Sequence, residues 1–122
     1  MLVGAAKLLH DNNYYNAVAH AAYYSCYQML MCIWLYSMGK SQDDLTANTS
    51  QSTMGSHEYL LNEVYIHIAA SSREDARIIK NDMPQLKRLR TDADYKDTIF
   101  DSDRSRQSME LSSKLLSILK RY

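Results

Sequence analysis

The chain has 122 residues, in which 14 Lys and Arg are balanced by 14 Asp and Glu, so its formal net charge at neutral pH is zero. That balance excludes any argument from total charge for a nucleic-acid or membrane partner, although it leaves local patches open. Three Gly and one Pro, with Ala, Leu and Met about twice as frequent as Val, Ile and Thr, favour helix over strand. The composition predicts one all-α domain spanning residues 1–122, an up-and-down bundle of four to six helices.

The first third of the chain carries two predicted helices. A short helix over Leu2–His10 is followed by Asp and Asn residues that favour a turn. A long helix is predicted from Tyr14 to Met38 because apolar side chains recur at three- and four-residue spacing, and Gly39 suits its C-terminal cap. Residues 12–39 are uncharged but contain amide, hydroxyl and imidazole groups. We therefore expect a central bundle helix there and no membrane span.

The middle of the chain alternates polar and periodic segments. Residues 41–56 are predicted to form a long polar loop. A third helix is predicted from Ser56 to Ala70, and a further helical segment begins at Ser72. Pro84 is expected to interrupt that segment and to begin a new helix capped by Asp82.

The last predicted helix starts near Ser102 and keeps leucines at inward-facing positions to the end of the chain. Phe100, just before it, is placed to pack back onto its first turns as a hydrophobic staple. No internal repeat or second composition regime is present, which supports a single bundle.

Two cysteines, Cys26 and Cys32, fall on the long predicted helix. Six residues separate them by about 9 Å along the helix axis and turn them to different sides, so they cannot form a disulfide with each other. Both are expected to be free and to pack as small core residues. Free thiols and the absence of a signal-peptide pattern at the start of the sequence favour a reducing cytoplasm.

Four segments stand in a fixed order along the chain and together resemble a known family. They are Tyr15–Tyr27 with its paired Tyr23 and Tyr24, Ser56-His57, the sequence Arg-Thr-Asp-Ala-Asp-Tyr at 90–95, and the closing helix at 102–119. In this order they resemble the HEPN superfamily, prokaryotic helical domains often found beside minimal nucleotidyltransferases. The predicted first helix is shorter than the family usually has. The resemblance implies a homodimer, a nucleotidyltransferase as protein partner in a toxin-antitoxin or defence module, and a nucleotide or RNA as ligand.

HEPN ribonucleases are similar to one another in an Arg-x4-6-His motif, in which arginine stabilises charge on the reacting phosphate and histidine moves the proton of the ribose hydroxyl. No arginine of this chain precedes a histidine at that spacing, and Tyr95 stands five residues after Arg90. A phenol with a pKa near 10 is a poor base at neutral pH. The resemblance, with this motif missing, therefore argues against the ribonuclease mechanism and favours a non-catalytic accessory domain, while the question whether the chain is an enzyme stays open. The alternative is a divergent ribonuclease toxin that uses Arg90, Tyr95 and His57.

Charge is unevenly distributed around the Arg90–Tyr95 motif. A net-basic stretch covers residues 73–90, and a net-acidic stretch covers residues 92–110. These stretches suit a phosphate-binding surface or a head-to-head contact between two copies, and the ordinary alternative is a solvated surface of mixed charge. The ligand-binding candidates are Arg88, Arg90, Asp94, Tyr95, Tyr23 and Tyr24. The structural alternative is an ion pair between Arg90 and Asp94 within one helix.

The sequence predicts neither a metal site nor a cofactor. The four histidines include no pair at helical spacing, and Glu63 with His67 would give only two ligands where a stable site needs three or four. Related toxins are silenced by adenylylation of a tyrosine, and by resemblance Tyr95 is the candidate for that modification.

Six of the ten tyrosines fall on the long predicted helix and point in several directions, so some of them must leave the core. Tyrosine combines apolar area with a hydroxyl group and suits a protein interface. This predicts a homodimer, which sedimentation would test, and it leaves a dimeric structural scaffold as a third interpretation.

Overall fold

The computed structural model describes residues 2–12, 14–94 and 100–122. These residues form six helices, and no strand is found among them, so the predicted all-α bundle is confirmed. The helices are α1 (Leu2–Asp11), α2 (Tyr15–Cys32, extended by a π-helical turn over Ile33–Ser37), α3 (Gln42–Ser50), α4 (Ser56–Ala69), α5 (Arg73–Asp94) and α6 (Ser102–Leu119).

Helix α2 is the centre of the bundle and contacts α1, α4, α5 and α6. Small residues on α2, such as Ala19 and Ala22, are fully buried and let the neighbouring helices approach closely. Contacts between α2 and α5 run in opposite order along the two helices, from Asn16 with Ala93 to Tyr24 with Arg90, so the two helices are antiparallel. Helix α5 therefore brings its C-terminal half beside the tyrosines of α2.

The long predicted helix ends as expected at Gly39, which has a φ of +66°. Its last turn widens into π-helix, where Met38 N–H donates to the Ile33 carbonyl oxygen at 2.9 Å. Trp34 in this turn is fully buried, and its indole N–H donates to the Ser41 carbonyl oxygen at 2.8 Å. This bond ties the end of the central helix to the start of α3.

The prediction of a loop across residues 41–56 is wrong for its first part, because residues 42–50 form α3. A capping box starts this helix: Asp44 N–H donates to Ser41 Oγ at 3.0 Å, and Ser41 N–H donates to Asp44 Oδ2 at 2.9 Å. Leu45 is its one buried side chain. The capping box and the burial of Leu45 thus stabilise a helix in a segment that lacks apolar periodicity.

The prediction that Pro84 begins a new helix is also wrong. Helix α5 continues through Pro84 without a break. Its buried positions keep three- and four-residue spacing across the proline: Ala76, Ile79, Met83, Leu86, Leu89 and Ala93. Asp82 is buried and does not cap a helix, and Lys114 Nζ of α6 lies 3.0 Å from its Oδ2 as the counter-charge. Burial of this apolar side outweighs the cost of an internal proline.

Pro84→Ala is expected to raise the free energy of unfolding by up to about 3 kcal/mol, because alanine supplies the N–H that a helix interior needs and removes the ring clash. Pro84 is exposed, so the substitution leaves no core cavity. Urea unfolding followed by circular dichroism would measure the change. A loss of stability would show that packing of the proline ring matters more than the missing hydrogen bond.

The closing helix begins where predicted, and the Phe100 ring lies against its first turn, with its centroid 5.3 Å from Arg104 Cζ. Asp101 caps α6 by accepting from Arg104 N–H at 3.0 Å. Phe100 is buried in a small apolar cluster with Ala19, Leu89 and Ala93, so it joins α6 to α2 and α5.

The two cysteines are free, but only Cys26 is a core residue, because Cys32 is exposed. Ser25 and Cys26 of α2 face Ser112 of α6, with 3.1 Å between the two serine hydroxyl oxygens. Burial raises the pKa of the Cys26 thiol to about 11, which keeps it protonated at neutral pH. Across the described ranges, no helix is both long enough and apolar enough to cross a membrane.

Candidate functional site

Helices α2, α4 and α5 meet at a group of four aromatic rings and one arginine, here named the aromatic–cation cluster. It consists of Tyr23, Tyr24, Tyr27, His57 and Arg90. One turn of α2 supplies the three tyrosines, the first turn of α4 supplies His57, and the C-terminal part of α5 supplies Arg90. Two predicted candidates that lie 33 residues apart in sequence, His57 and Arg90, thus come to one place.

Arg90 lies against two tyrosine rings. Its Cζ is 4.9 Å from the ring centroid of Tyr23 and 5.5 Å from that of Tyr24, and Nη1 donates to the Tyr24 hydroxyl at 2.9 Å. These cation–π contacts hold the flat guanidinium in one orientation. Its Nε is buried and has no acceptor among the described residues. The guanidinium group of Arg90 is therefore fixed in position, while most of its N–H donors make no hydrogen bond with a described residue.

Tyr23 and His57 form the second polar contact of the cluster, with 2.7 Å between the phenol oxygen and Nδ1. Burial raises the pKa of Tyr23 to about 12, so the phenol keeps its proton. Within the described part of the chain, His57 is the one partner of this hydroxyl group. The phenolic proton has an acceptor only if Tyr23 donates it to Nδ1 of His57. The proton of the neutral imidazole is then on Nε2.

His57 is kept neutral by its surroundings. Partial burial is the main cause that lowers its pKa, and the positive charges of Lys87 and Arg90 lower it further. A neutral ring packs closely on Tyr27, with ring centroids 4.2 Å apart. His57 therefore presents a flat, uncharged surface and one N–H group.

A cleft of about 220 Å³ opens beside the cluster. Apolar side chains form most of its lining, and the polar groups come from the cluster and from two charged residues. The lining residues are Tyr23, Tyr27, Leu30, His57, Glu58, Leu61, Met83, Pro84 and Lys87. Lys87 and Arg90, three residues apart on α5, lie on one side of that helix and put positive charge at one end of the cleft.

No ion pair among the described residues engages these two cations, although the carboxylate of Glu58 lines the same cleft as Lys87. Six acidic residues of the basic and acidic stretches have partners of their own: Glu74 with Arg77, Asp75 with Arg121, Asp82 with Lys114, Asp92 with Arg104, Asp94 with His20, and Asp103 with Arg106. Within residues 2–12, 14–94 and 100–122, no carboxylate pairs with Lys87, Arg88 or Arg90. The C-terminal half of α5 therefore carries cations that are free to meet an anion.

The remaining predicted site residues fall into two groups. Asp94 bonds His20 Nε2 at 2.5 Å instead of pairing with Arg90, so it lies near the cluster without joining it. Arg88 is exposed and, two residues from Arg90, points to a different side of α5. Tyr95 lies outside the described residues, and no group of three or more metal-ligating side chains occurs in the part of the chain that the structure describes.

Sequence reasoning missed Tyr27, Glu58 and Lys87 as site residues. Tyr27 follows Tyr23 by one helical turn, and Lys87 precedes Arg90 by nearly one turn, so helical periodicity places each beside a predicted residue. Glu58 gave no such signal, because its place at the cleft depends on how α4 docks against α5.

Comparison of the chain with family models, curated proteins and solved structures finds no significant match. The function is therefore inferred from the chemistry of the cluster and its cleft.

The pKa of Tyr23 gives a pH prediction. In the unfolded chain a tyrosine loses its proton near 10, whereas in the folded chain Tyr23 holds it until about 12. Between these values the unfolded state binds fewer protons, so stability is expected to fall as pH rises above 10. Urea unfolding of the wild type and Tyr23→Phe at about pH 8 and about pH 11 would measure this, and the variant should lose less stability. Equal losses in both proteins would contradict the assignment.

Proposed function

We propose that this chain is a HEPN-type accessory domain that binds the phosphate of a nucleotide or RNA at the aromatic–cation cluster and does not cleave RNA. Its protein partner would be a nucleotidyltransferase of a prokaryotic toxin-antitoxin or defence module, as the sequence resemblance implies. One observation carries the ligand proposal: Arg90 and Lys87 have no acidic partner in the described residues and stand beside an aromatic cleft.

Phosphate is the anion that this arrangement favours. A guanidinium presents a planar fork of N–H donors that matches two phosphate oxygens, and a nearby ammonium adds a point charge. The tyrosine rings restrict the rotation of Arg90 before the ligand arrives, which lowers the entropy that binding must overcome. Aromatic rings beside the cations suit a ligand that has a flat ring as well as a phosphate.

A metal-independent ribonuclease is the second candidate, because Arg90 and a neutral His57 both contact Tyr23, and His57 lines the cleft beside it. Such an enzyme needs an unprotonated imidazole nitrogen facing the ribose hydroxyl. In the arrangement that satisfies the Tyr23 hydroxyl, the other ring nitrogen, Nε2, carries a proton and can only donate. A proton on Nε2 therefore favours the binding role over cleavage.

Heteronuclear NMR of the His57 ring separates the two candidates. A proton on Nε2 and an unprotonated Nδ1 at neutral pH are expected for the accessory domain, together with no cleavage of total RNA by the full chain. The reverse tautomer, with RNA cleavage that is lost in both His57→Ala and Arg90→Ala, would establish the ribonuclease. Co-purification of a nucleotidyltransferase encoded beside this chain would test the partner.

We further propose a homodimer in a reducing cytoplasm. Tyr14 and Tyr36 lie on α2 or its ends and are 62% and 82% exposed, which supports an interface role for part of the tyrosine excess. The exposed free thiol of Cys32 suits a compartment where disulfides do not form. Sedimentation that shows only monomer at tens of micromolar would contradict the dimer.

A further inference from the structure

We infer that the cleft beside the aromatic–cation cluster takes a single nucleobase with an exocyclic amino group, as part of a nucleoside monophosphate unit whose phosphate lies on Lys87 and Arg90. This inference rests on the proposed function, because it assumes that the two cations hold the phosphate. It adds a base-binding site and a base preference.

The size of the cleft limits the ligand. Its volume of about 220 Å³ is below the roughly 300–1,000 Å³ of pockets that enclose drug-sized molecules. One planar ring system fits this space, whereas a dinucleotide does not. Leu30, Leu61 and Met83 line the cleft and give a flat base an apolar surface.

One wall of the cleft suits stacking. Tyr27 and His57 pack on each other at 4.2 Å between ring centroids, with 33° between their planes. Because these rings already touch, a base lies against them from the cleft side and not between them. Stacking on an aromatic side chain is tolerant of base identity, so the wall supplies affinity without choosing among bases.

Glu58 provides the selectivity among nucleobases. It follows His57 on α4, lines the cleft, and makes no hydrogen bond or ion pair with a described residue. A carboxylate only accepts hydrogen bonds, so it pairs with the amino group of cytosine or adenine and repels the carbonyl oxygen of uracil. Glu58 is therefore the specificity-determining residue of this site.

Lys87 and Arg90 provide the binding site for the phosphate of the nucleoside monophosphate. Lys87 lines the cleft, and Arg90 lies about 4.5 Å further along the α5 axis. A base lying against Tyr27 and His57 thus directs its sugar and phosphate toward two positive side chains. The same unit is present in a free nucleotide and at the end of an RNA strand.

The test uses two ligands that match in size. Calorimetric titration of the full chain with CMP and UMP, which differ at the amino or carbonyl group of the pyrimidine ring, should give tighter binding of CMP by about tenfold. Glu58→Gln should reduce that preference to below about threefold, because an amide both donates and accepts. Tyr27→Leu should weaken CMP by about tenfold, whereas Tyr27→Phe, which keeps the ring, should not. Circular dichroism would confirm that each variant is folded.

Further ligands separate the inference from the proposed function. Ribose 5-phosphate that binds as tightly as CMP, or equal binding of CMP and UMP, would overturn the base site while phosphate binding stands. A chain that binds neither CMP, ribose 5-phosphate nor a short RNA would overturn the proposed function as well. Binding of a short single-stranded RNA that ends in cytidine, but not of free CMP, would assign the site to RNA ends, and binding of both would assign it to the nucleotide unit itself.

Discussion

Arg90→Ala is expected to weaken binding of CMP or phosphorylated RNA by at least tenfold, because a hydrogen bond to a charged group contributes about 1.5–3 kcal/mol and the guanidinium supplies several donors. Arg90→Lys should recover part of the affinity, since it keeps the charge but loses the planar fork that lies against Tyr23 and Tyr24. Calorimetric titration at low and high salt would measure both effects.

Arg88→Ala is the matched control for this experiment. Arg88 has the same charge, is exposed, and lies only two residues away on a different side of α5. Its loss should change the affinity by less than about twofold at moderate salt. Equal losses in the Arg88 and Arg90 variants would mean that the ligand is attracted by the general charge of α5 and not by the cluster.

The second large effect concerns stability. Trp34→Ala should lower the free energy of unfolding by about 3–5 kcal/mol, because it empties a fully buried site that also contacts the Tyr59 ring. It also removes the indole N–H that donates to the Ser41 carbonyl oxygen at the start of α3. The free energy of unfolding of a native domain is typically about 5–15 kcal/mol, so this loss is large enough to unfold much of the protein under mild conditions.

Trp34→Phe separates the two contributions. It keeps an aromatic ring but loses the N–H donor, and a cost of about 1–2 kcal/mol is expected. Urea unfolding would be followed by circular dichroism, because the chain has only one tryptophan and the variants lose its fluorescence. A loss below about 1 kcal/mol for Trp34→Ala would contradict a central role for this residue in the core.

The helices that follow apolar periodicity were predictable from the sequence, and the two errors have physical causes. Helix α3 buries only Leu45 and is stabilised by a capping box, so it leaves almost no periodic signal. Proline usually marks the first turn of a helix, but α5 continues through Pro84 because its buried apolar side extends on both sides of the proline. The local signal for α3 is thus the Ser41–Asp44 capping box and not apolar periodicity, whereas at Pro84 contacts of α5 with other helices outweigh local preference.

The site was predictable in part for a similar reason. Arg90, His57, Tyr23 and Tyr24 stand out in the sequence, and the structure places all four in one cluster. The expected partners were different, because Asp94 bonds His20 and leaves Arg90 to the tyrosines. The cleft itself could not be predicted, since it exists only where α2, α4 and α5 pack together.

The order of arginine and histidine along the chain proved less informative than their positions in space. A search for Arg-x4-6-His rejects this sequence, yet Arg90 and His57 both contact Tyr23. Under the proposed function, binding is distinguished from cleavage by the position of one imidazole proton, and the His57 Nδ1 lies 2.7 Å from the Tyr23 hydroxyl oxygen.

The most direct test of the central claim is a two-dimensional NMR titration of the full chain with CMP. We predict that signals of Tyr23, Tyr27, His57, Lys87 and Arg90 shift together and reach saturation along one binding curve. Absence of shifts with CMP and also with a short single-stranded RNA, or shifts confined to another surface such as that around Tyr65 and Lys80, would contradict a phosphate-binding function for the aromatic–cation cluster.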